Sequence, residues 1–221
     1  MSIKRTVLFM GCSITDAGHD ELQLGHGYAA MTAAMLRLRF PRVDFTFINS
    51  GVSGNCAYQC RDRWQQDVLD HHPDFVTFMG SGNDSYLFSL DPSTPEVDVR
   101  SFRRIVDAFV TKTLAQCRGM VLIPQHYLCD QAHRAENTFP TVGMIDTLAP
   151  YTRALCAIGK KHGIPVIRCD RDLVQLAKRM PVAQLAPDFV HPTTFGHAVM
   201  ARRLFDALAP LVEASLPAAY R

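Results

Sequence analysis

The run Thr6-Val7-Leu8-Phe9-Met10 passes straight into Gly11-Cys12-Ser13-Ile14-Thr15-Asp16, and this junction says most about the architecture. Five apolar-leaning residues in a row do not alternate in polarity, which marks a strand covered on both faces. The residues after it are turn formers and caps, so the strand ends in a loop that opens with glycine and carries a serine. Four more runs read the same way: 45–49 (FTFIN), 75–79 (FVTFM), 120–124 (MVLIP) and 165–169 (PVIRC). Their starts lie 30 to 45 residues apart, room for a crossover helix each time.

Helical patterns fill the gaps. Residues 28–38 are rich in Ala, Met and Leu, and Ser101 can cap a helix whose apolar face is Phe102, Ile105, Val106, Phe109, Val110 and Leu114. Residues 147–162 and 197–212 show the same period. The expectation is an α/β fold, a doubly wound, flavodoxin-like three-layer sandwich around a five-stranded parallel sheet, in one domain spanning 1–221. Two stretches, 85–100 and 127–146, read as irregular, and each follows a strand. Both therefore belong to the carboxyl edge of the sheet, where open α/β sheets hold their ligands.

Composition narrows the function classes. A chain of 221 residues, 48% hydrophobic, can bury one sizeable core without disulfides or a structural metal. Lys and Arg number 23 against 21 Asp and Glu, and a net charge of +2 gives no reason to expect nucleic acid or an anionic membrane as partner. Seven cysteines, an odd number with no CxxC pair, fit a reducing compartment. Lys4 and Arg5 are followed by an apolar run too short for a signal peptide, and no stretch approaches the roughly 20 apolar residues of a spanning helix. A cytoplasmic protein is expected.

Four segments carry groups suited to chemistry. Ser13 can point a hydroxyl into the crevice, or simply begin a turn. Strand two ends in Asn49-Ser50-Gly51-Val52-Ser53-Gly54-Asn55, whose glycines let backbone N–H groups approach an anion, or form a plain tight turn. Strand three ends in Gly80-Ser81-Gly82-Asn83-Asp84, where the Asn83 amide can donate into the same crevice. Near the C-terminus stands Asp188-Phe189-Val190-His191-Pro192-Thr193. An acid three residues before a histidine can fold back onto Nδ1–H and leave Nε2 to accept a proton from a serine. His71 and His72 read as a solvated pair. Together on one rim, the four segments supply a nucleophile, an anion pocket and an oriented base.

At these residues the chain resembles the SGNH (GDSL-type) hydrolases. GCSITD is similar to the first block with its nucleophilic serine, GVSGN to the second with its glycine, GSGND to the third with its asparagine, and DFVHP to the final D-x-x-H. LGHGY at 24–28, RDRWQQD at 61–67 and PDFVTFM at 73–79 resemble the branch that holds acetylxylan esterases and related carbohydrate acetyl esterases. The blocks occur in order and at family-like spacing, over about residues 5 to 210. The resemblance implies a serine esterase with Ser13 as nucleophile, His191 as base and Asp188 as its orienter. The Ser13 and Gly54 N–H groups and the Asn83 amide would form the oxyanion hole. An acyl-enzyme on Ser13 would turn over acyl esters, above all O-acetyl groups on small carbohydrates, with no cofactor and no metal. Relatives in that branch tend to form homo-oligomers, which extends to this chain as an implication.

Three positions depart from the pattern. Cys12 replaces the usual Asp of GDS, Ser81 stands at the first glycine of GxND, and Phe189 follows Asp188 where the family often has glycine. Cys12 and Ser81 leave the reacting groups intact, whereas Phe189 adds bulk at the rim.

Other functions compete. Leu87, Phe88, Phe139 and Phe189 can line a groove for a longer acyl chain, as in a lipolytic or thioester-cleaving enzyme, or pack a loop. Gly25, Gly27 and Ala30 match the GxGxxA of a nucleotide-binding module, but residues 17–24 before them are not a strand, and strand two ends in Asn49 rather than an acid. Asp16, His19, Asp20 and His26 cluster in sequence without the close helical spacing of zinc ligands. No GxSxG is present, which argues against the α/β-hydrolase elbow.

Overall fold

A computed structural model describes residues 2–128 and 144–220. Its sheet has four parallel strands, β1 (Ile3–Gly11), β2 (Val43–Gly51), β3 (Phe75–Gly80) and β4 (Gly119–Pro124), in the order β2-β1-β3-β4. The unbroken apolar runs have a direct physical reason. Val7, Phe9, Phe75, Met79, Val121 and Ile123 point to one face, while Leu8, Met10, Val76, Phe78, Met120 and Leu122 point to the other. Every one of them is fully buried.

Helices cover both faces. On the first lie α2 (Tyr28–Arg39), α7 (Cys169–Ala177) and α8 (Thr194–Ala214), which contribute Leu36, Leu173, Leu204 and Leu208. On the second lie α3 (Ala57–Asp67), α5 (Val99–Leu114) and α6 (Met144–His162), where Trp64 stacks on Phe109 with ring centroids 3.9 Å apart. Two short helices, α1 (Ser13–Asp16) and α4 (Gly82–Leu90), start almost at the ends of β1 and β3. The strand order reverses direction between β1 and β3, so the crevice opens over their carboxyl ends.

The expected fifth strand is not there. The segment 165–169 touches the sheet at one bridge, Leu122 to Val166, where Leu122 N–H donates to Pro165 O and Ile167 N–H to Leu122 O, both at 3.0 Å. Pro165 has no N–H to extend the ladder. Cys169 already opens α7, whose first turn carries Asp170 and Asp172, favourable at a helix N-terminus. The three-layer arrangement survives with four strands.

Two smaller expectations also change. The helix at 99–114 is capped by Asp98, whose carboxylate accepts the Arg100 and Ser101 N–H groups, so Ser101 lies inside it. Residues 85–90 of the stretch read as irregular belong to α4, and the Pro92 and Pro95 breaks fall beyond its end. Most of the other irregular stretch, including Phe139, lies outside the described residues.

Candidate active site

Ser13 opens α1 immediately after Cys12, which holds an extended N-cap conformation. Its Oγ lies 2.8 Å from His191 Nε2. His191 Nδ1 lies 2.5 Å from Asp188 Oδ2, and Asp188 Oδ1 accepts the Val190 and His191 main-chain N–H groups at 3.0 and 2.7 Å. The folded-back acid foreseen from the three-residue spacing is therefore an Asx-type turn that fixes both carboxylate oxygens. A carboxylate at Nδ1 keeps the proton there, so Nε2 presents its lone pair and the Ser13 hydroxyl donates to it. Partial burial raises the Asp188 carboxyl, but the His191 side chain and the two main-chain donors outweigh it and hold the group below the usual carboxylate range.

The second and third segments meet across the crevice. Gly54 has φ +82°, and a Cβ built there would meet nothing within 4 Å, so its backbone is open to a ligand. Asn83 Nδ2 donates to the Asn55 carbonyl at 3.0 Å. Asn55 Oδ1 accepts from Arg63 Nε at 2.9 Å, and the same guanidinium reaches Ser50 O at 2.9 Å, Gly11 O at 3.4 Å and Asp67 at 2.8 Å. One arginine thus ties the ends of β1 and β2 to the loop beside Asn83. Asp84 is buried, accepts the Ala57 N–H at 2.9 Å, and burial pushes its carboxyl up to about 7. Asn49 braces α1 by donating to Thr15 O at 2.7 Å and Leu24 O at 2.9 Å.

Two of the three motif departures have a conformational meaning. Ser81 has φ 110° and Phe189 φ 66°, backbone regions that glycine enters freely. Each non-glycine residue held there stores strain of order 1–3 kcal/mol. Phe189 is half-buried and packs against both core clusters, which directs its ring into the protein. Cys12 is buried, and burial pushes its thiol up to about 11, so it is no rival to the Ser13 hydroxyl.

A cavity of about 330 Å³ lies beside Ser13, lined by Asp16, His26, Ser53, His191 and Thr194 among others. Asp16 is engaged there, accepting from Ser53 Oγ at 2.7 Å and lying 3.0 Å from His19 Nδ1, while Asp20 caps its own turn through the Leu22 and Gln23 N–H groups. Gly27 precedes α2, and a Cβ on it would come within 2.5 Å of Ala17 and 3.1 Å of His197. Packing explains that glycine, and His197 Nδ1 accepts the Tyr28 N–H at the head of the helix. A larger hollow of about 750 Å³ lies against α2 and β2 and contains none of Ser13, Asp188 or His191.

A family model described as GDSL-like Lipase/Acylhydrolase family matches residues 9–199. The chain belongs to that family. This GDSL protein is a carboxylic ester hydrolase. It is 27% identical over 205 residues to an acetylxylan esterase of Geobacillus stearothermophilus, covering 89% of this chain and 90% of that one. The crystal structure of that organism's Axe2, an acetylxylan esterase, superposes with a TM-score of 0.80 at 26% identity, covering 94% and 96% of the two chains. Catalytic mutants of Axe2 at a serine, an aspartate and a histidine are also among the structural matches. LAE5, an alpha/beta hydrolase enzyme from the metagenome of Lake Arreo, Spain, gives a TM-score of 0.81 at 27% identity over 96% and 98% of the chains.

Arg63 lies in RDRWQQD, Asp84 in GSGND and Asn49 at the end of strand two, yet the motifs do not say what these side chains hold, and Gln125 lies in none of them. A polar residue ending a buried strand was the one available signal for Asn49.

Proposed function

We propose that this GDSL hydrolase is a serine esterase that removes O-acetyl groups from small carbohydrates through an acyl-enzyme on Ser13. The observation that carries the reading is the unbroken chain Ser13 Oγ, His191 Nε2, His191 Nδ1, Asp188 Oδ2, with each link within hydrogen-bond distance. As Ser13 Oγ bonds to the ester carbonyl carbon, its proton passes to His191 Nε2. The carbonyl electron pair moves onto oxygen, which meets the Ser13 and Gly54 N–H groups and the Asn83 amide. Collapse breaks the bond to the sugar oxygen, and His191 returns its proton to that leaving alcohol. Water then gives a proton to His191 and attacks the acetyl-serine, and acetate leaves with Oγ reprotonated.

The acetyl and carbohydrate assignment rests on likeness to the acetylxylan esterases and on the polar wall of the cavity, where Asp16, His26, Ser53 and Thr194 suit hydroxyls better than a lipid chain. Cytoplasmic placement fits the buried free thiols Cys12, Cys56, Cys60 and Cys169. No helix among the described residues is long and apolar enough to cross a membrane. The test is a comparison of acetyl with octanoyl p-nitrophenyl esters, followed by acetate release from acetylated xylo-oligosaccharides. Acetyl preference and acetate release are expected. Octanoyl preference would instead favour the lipolytic alternative.

A further inference from the structure

We propose that Gln125 is a positioning residue that keeps the nucleophile and the oxyanion amide in register by holding the residue in front of each. Its carboxamide oxygen accepts the Gly82 N–H at 2.8 Å and the Cys12 Sγ–H at 3.6 Å. Gly82 precedes Asn83, and Cys12 precedes Ser13. The Gln125 main-chain N–H meets Ser81 Oγ at 3.4 Å. Cys12 and Ser81, two of the three places where this chain departs from the family blocks, therefore both bond to one residue that belongs to none of the blocks.

The fit around this oxygen is close. Gln125 is 1% exposed and sits just past the end of β4. A Cβ on Gly82 would come within 2.3 Å of its carboxamide carbon and oxygen, so glycine alone lets the two groups meet. Tyr127, two residues on, donates its hydroxyl to Gly82 O at 2.8 Å, which secures the other side of the same turn. Cys12 is a neutral thiol in this setting and can donate to the oxygen, whereas a carboxylate at position 12 has no proton to give. Gln125 thus crosses from β4 to the loops after β1 and β3, the two strands that flank the crevice.

This inference rests on the assignment of Ser13 and Asn83 as catalytic groups. Its test measures kcat, KM and melting temperature with p-nitrophenyl acetate for the wild type, Ser13→Ala, Asn83→Ala, Gln125→Met, and Gln125→Met combined with Asn83→Ala. Methionine keeps the side-chain length and removes the acceptor. The expected result is a fall in kcat of about tenfold or more with KM within about twofold, shrinking to about threefold once Asn83 is absent, because the group being positioned is gone. An unchanged kcat overturns the proposal, as does an equal loss in both backgrounds, which would show that Gln125 does not position Asn83. A melting temperature that falls in proportion to kcat would mark a general structural defect instead and overturn it too. Should Gln125→Met not fold, Gln125→Asn withdraws the oxygen by one methylene and carries the same comparison. An active Ser13→Ala would bring down the site assignment itself, which separates the two failures.

Discussion

Asn83 donates its side-chain amide to the main-chain carbonyl of Asn55 at 3.0 Å, so the group assigned to the oxyanion is anchored before substrate arrives. The amide nitrogen carries two hydrogens. One fixes the plane of the side chain, and in the proposed mechanism the other meets the developing negative charge, the preorganised arrangement that makes such donors effective. Asn83→Ala is expected to lower kcat by about 10²–10³, or about 2.7–4 kcal/mol of transition-state stabilisation, with KM little changed. Steady-state kinetics on an acetyl ester checks it, and a loss below about fivefold contradicts the role.

Arg63 stands behind that anchor. Its guanidinium is largely buried and reaches Asn55, Ser50, Gly11 and Asp67. Arg63→Met retains the stem and strips away charge-assisted bonds worth roughly 1.5–3 kcal/mol apiece, some of which water replaces. Urea denaturation is expected to show a loss of about 2–4 kcal/mol, accompanied by a lower kcat.

Asp188→Asn preserves shape while inviting the wrong imidazole tautomer. A fall in kcat of about 10⁴ with an unchanged far-UV spectrum is expected. The Asp188 carboxyl is held below its ordinary range, so its contribution to stability is present above the ordinary carboxylate value and is lost as pH falls below it.

Stability near neutral pH is shaped by buried groups with opposing signs. Burial presses His126 and His197 down to about 4. The Val190 main chain faces the His126 ring, yet among the described residues neither ring nitrogen has a hydrogen-bond partner of good geometry. Between about 4 and 6.5 the unfolded chain binds more protons at both histidines, so their neutral burial is tolerated above 6.5 and stability is lost as pH falls through that window. Asp84, raised to about 7, works the other way, with stability lost as pH rises from its ordinary value to about 7. Two histidines outweigh one acid, and urea midpoints are expected to fall on acidification from pH 6.5 to 4. Asp84→Asn should steepen that fall and raise stability at pH 8 by about 1–3 kcal/mol, and His126→Phe should flatten it.

Much of this architecture was readable in the chain because strands buried on both faces leave unbroken apolar runs, as Val7 to Met10 do on opposite sides of one strand. The run 165–169 has the same apolar look, but its proline carries no ladder donor, which the sequence already contains, and the start of α7 at Cys169, which only the structure shows, leaves it a single bridge to the sheet. The start of α4 was hidden by Ser81 and Gly82, residues that read as a turn, although Asp84 and Ser85 face inward. Ser13, Asp188, His191, Gly54 and Asn83 stood out because they sit in short ordered motifs, and the hydrogen bonds join three of them directly. Arg63 and Gln125 did not, because what each side chain holds depends on main-chain and side-chain groups that only the fold brings to it, such as the Gly11 carbonyl for Arg63 and Cys12 for Gln125.

The most direct test of the whole account is acid-quenched mass spectrometry of the enzyme during turnover of p-nitrophenyl acetate, run beside Ser13→Ala. The account predicts one added acetyl group on the peptide containing Ser13, with rate and label both collapsing in the variant by orders of magnitude. Undiminished turnover by Ser13→Ala, or a label on another residue that follows the turnover rate, would contradict it.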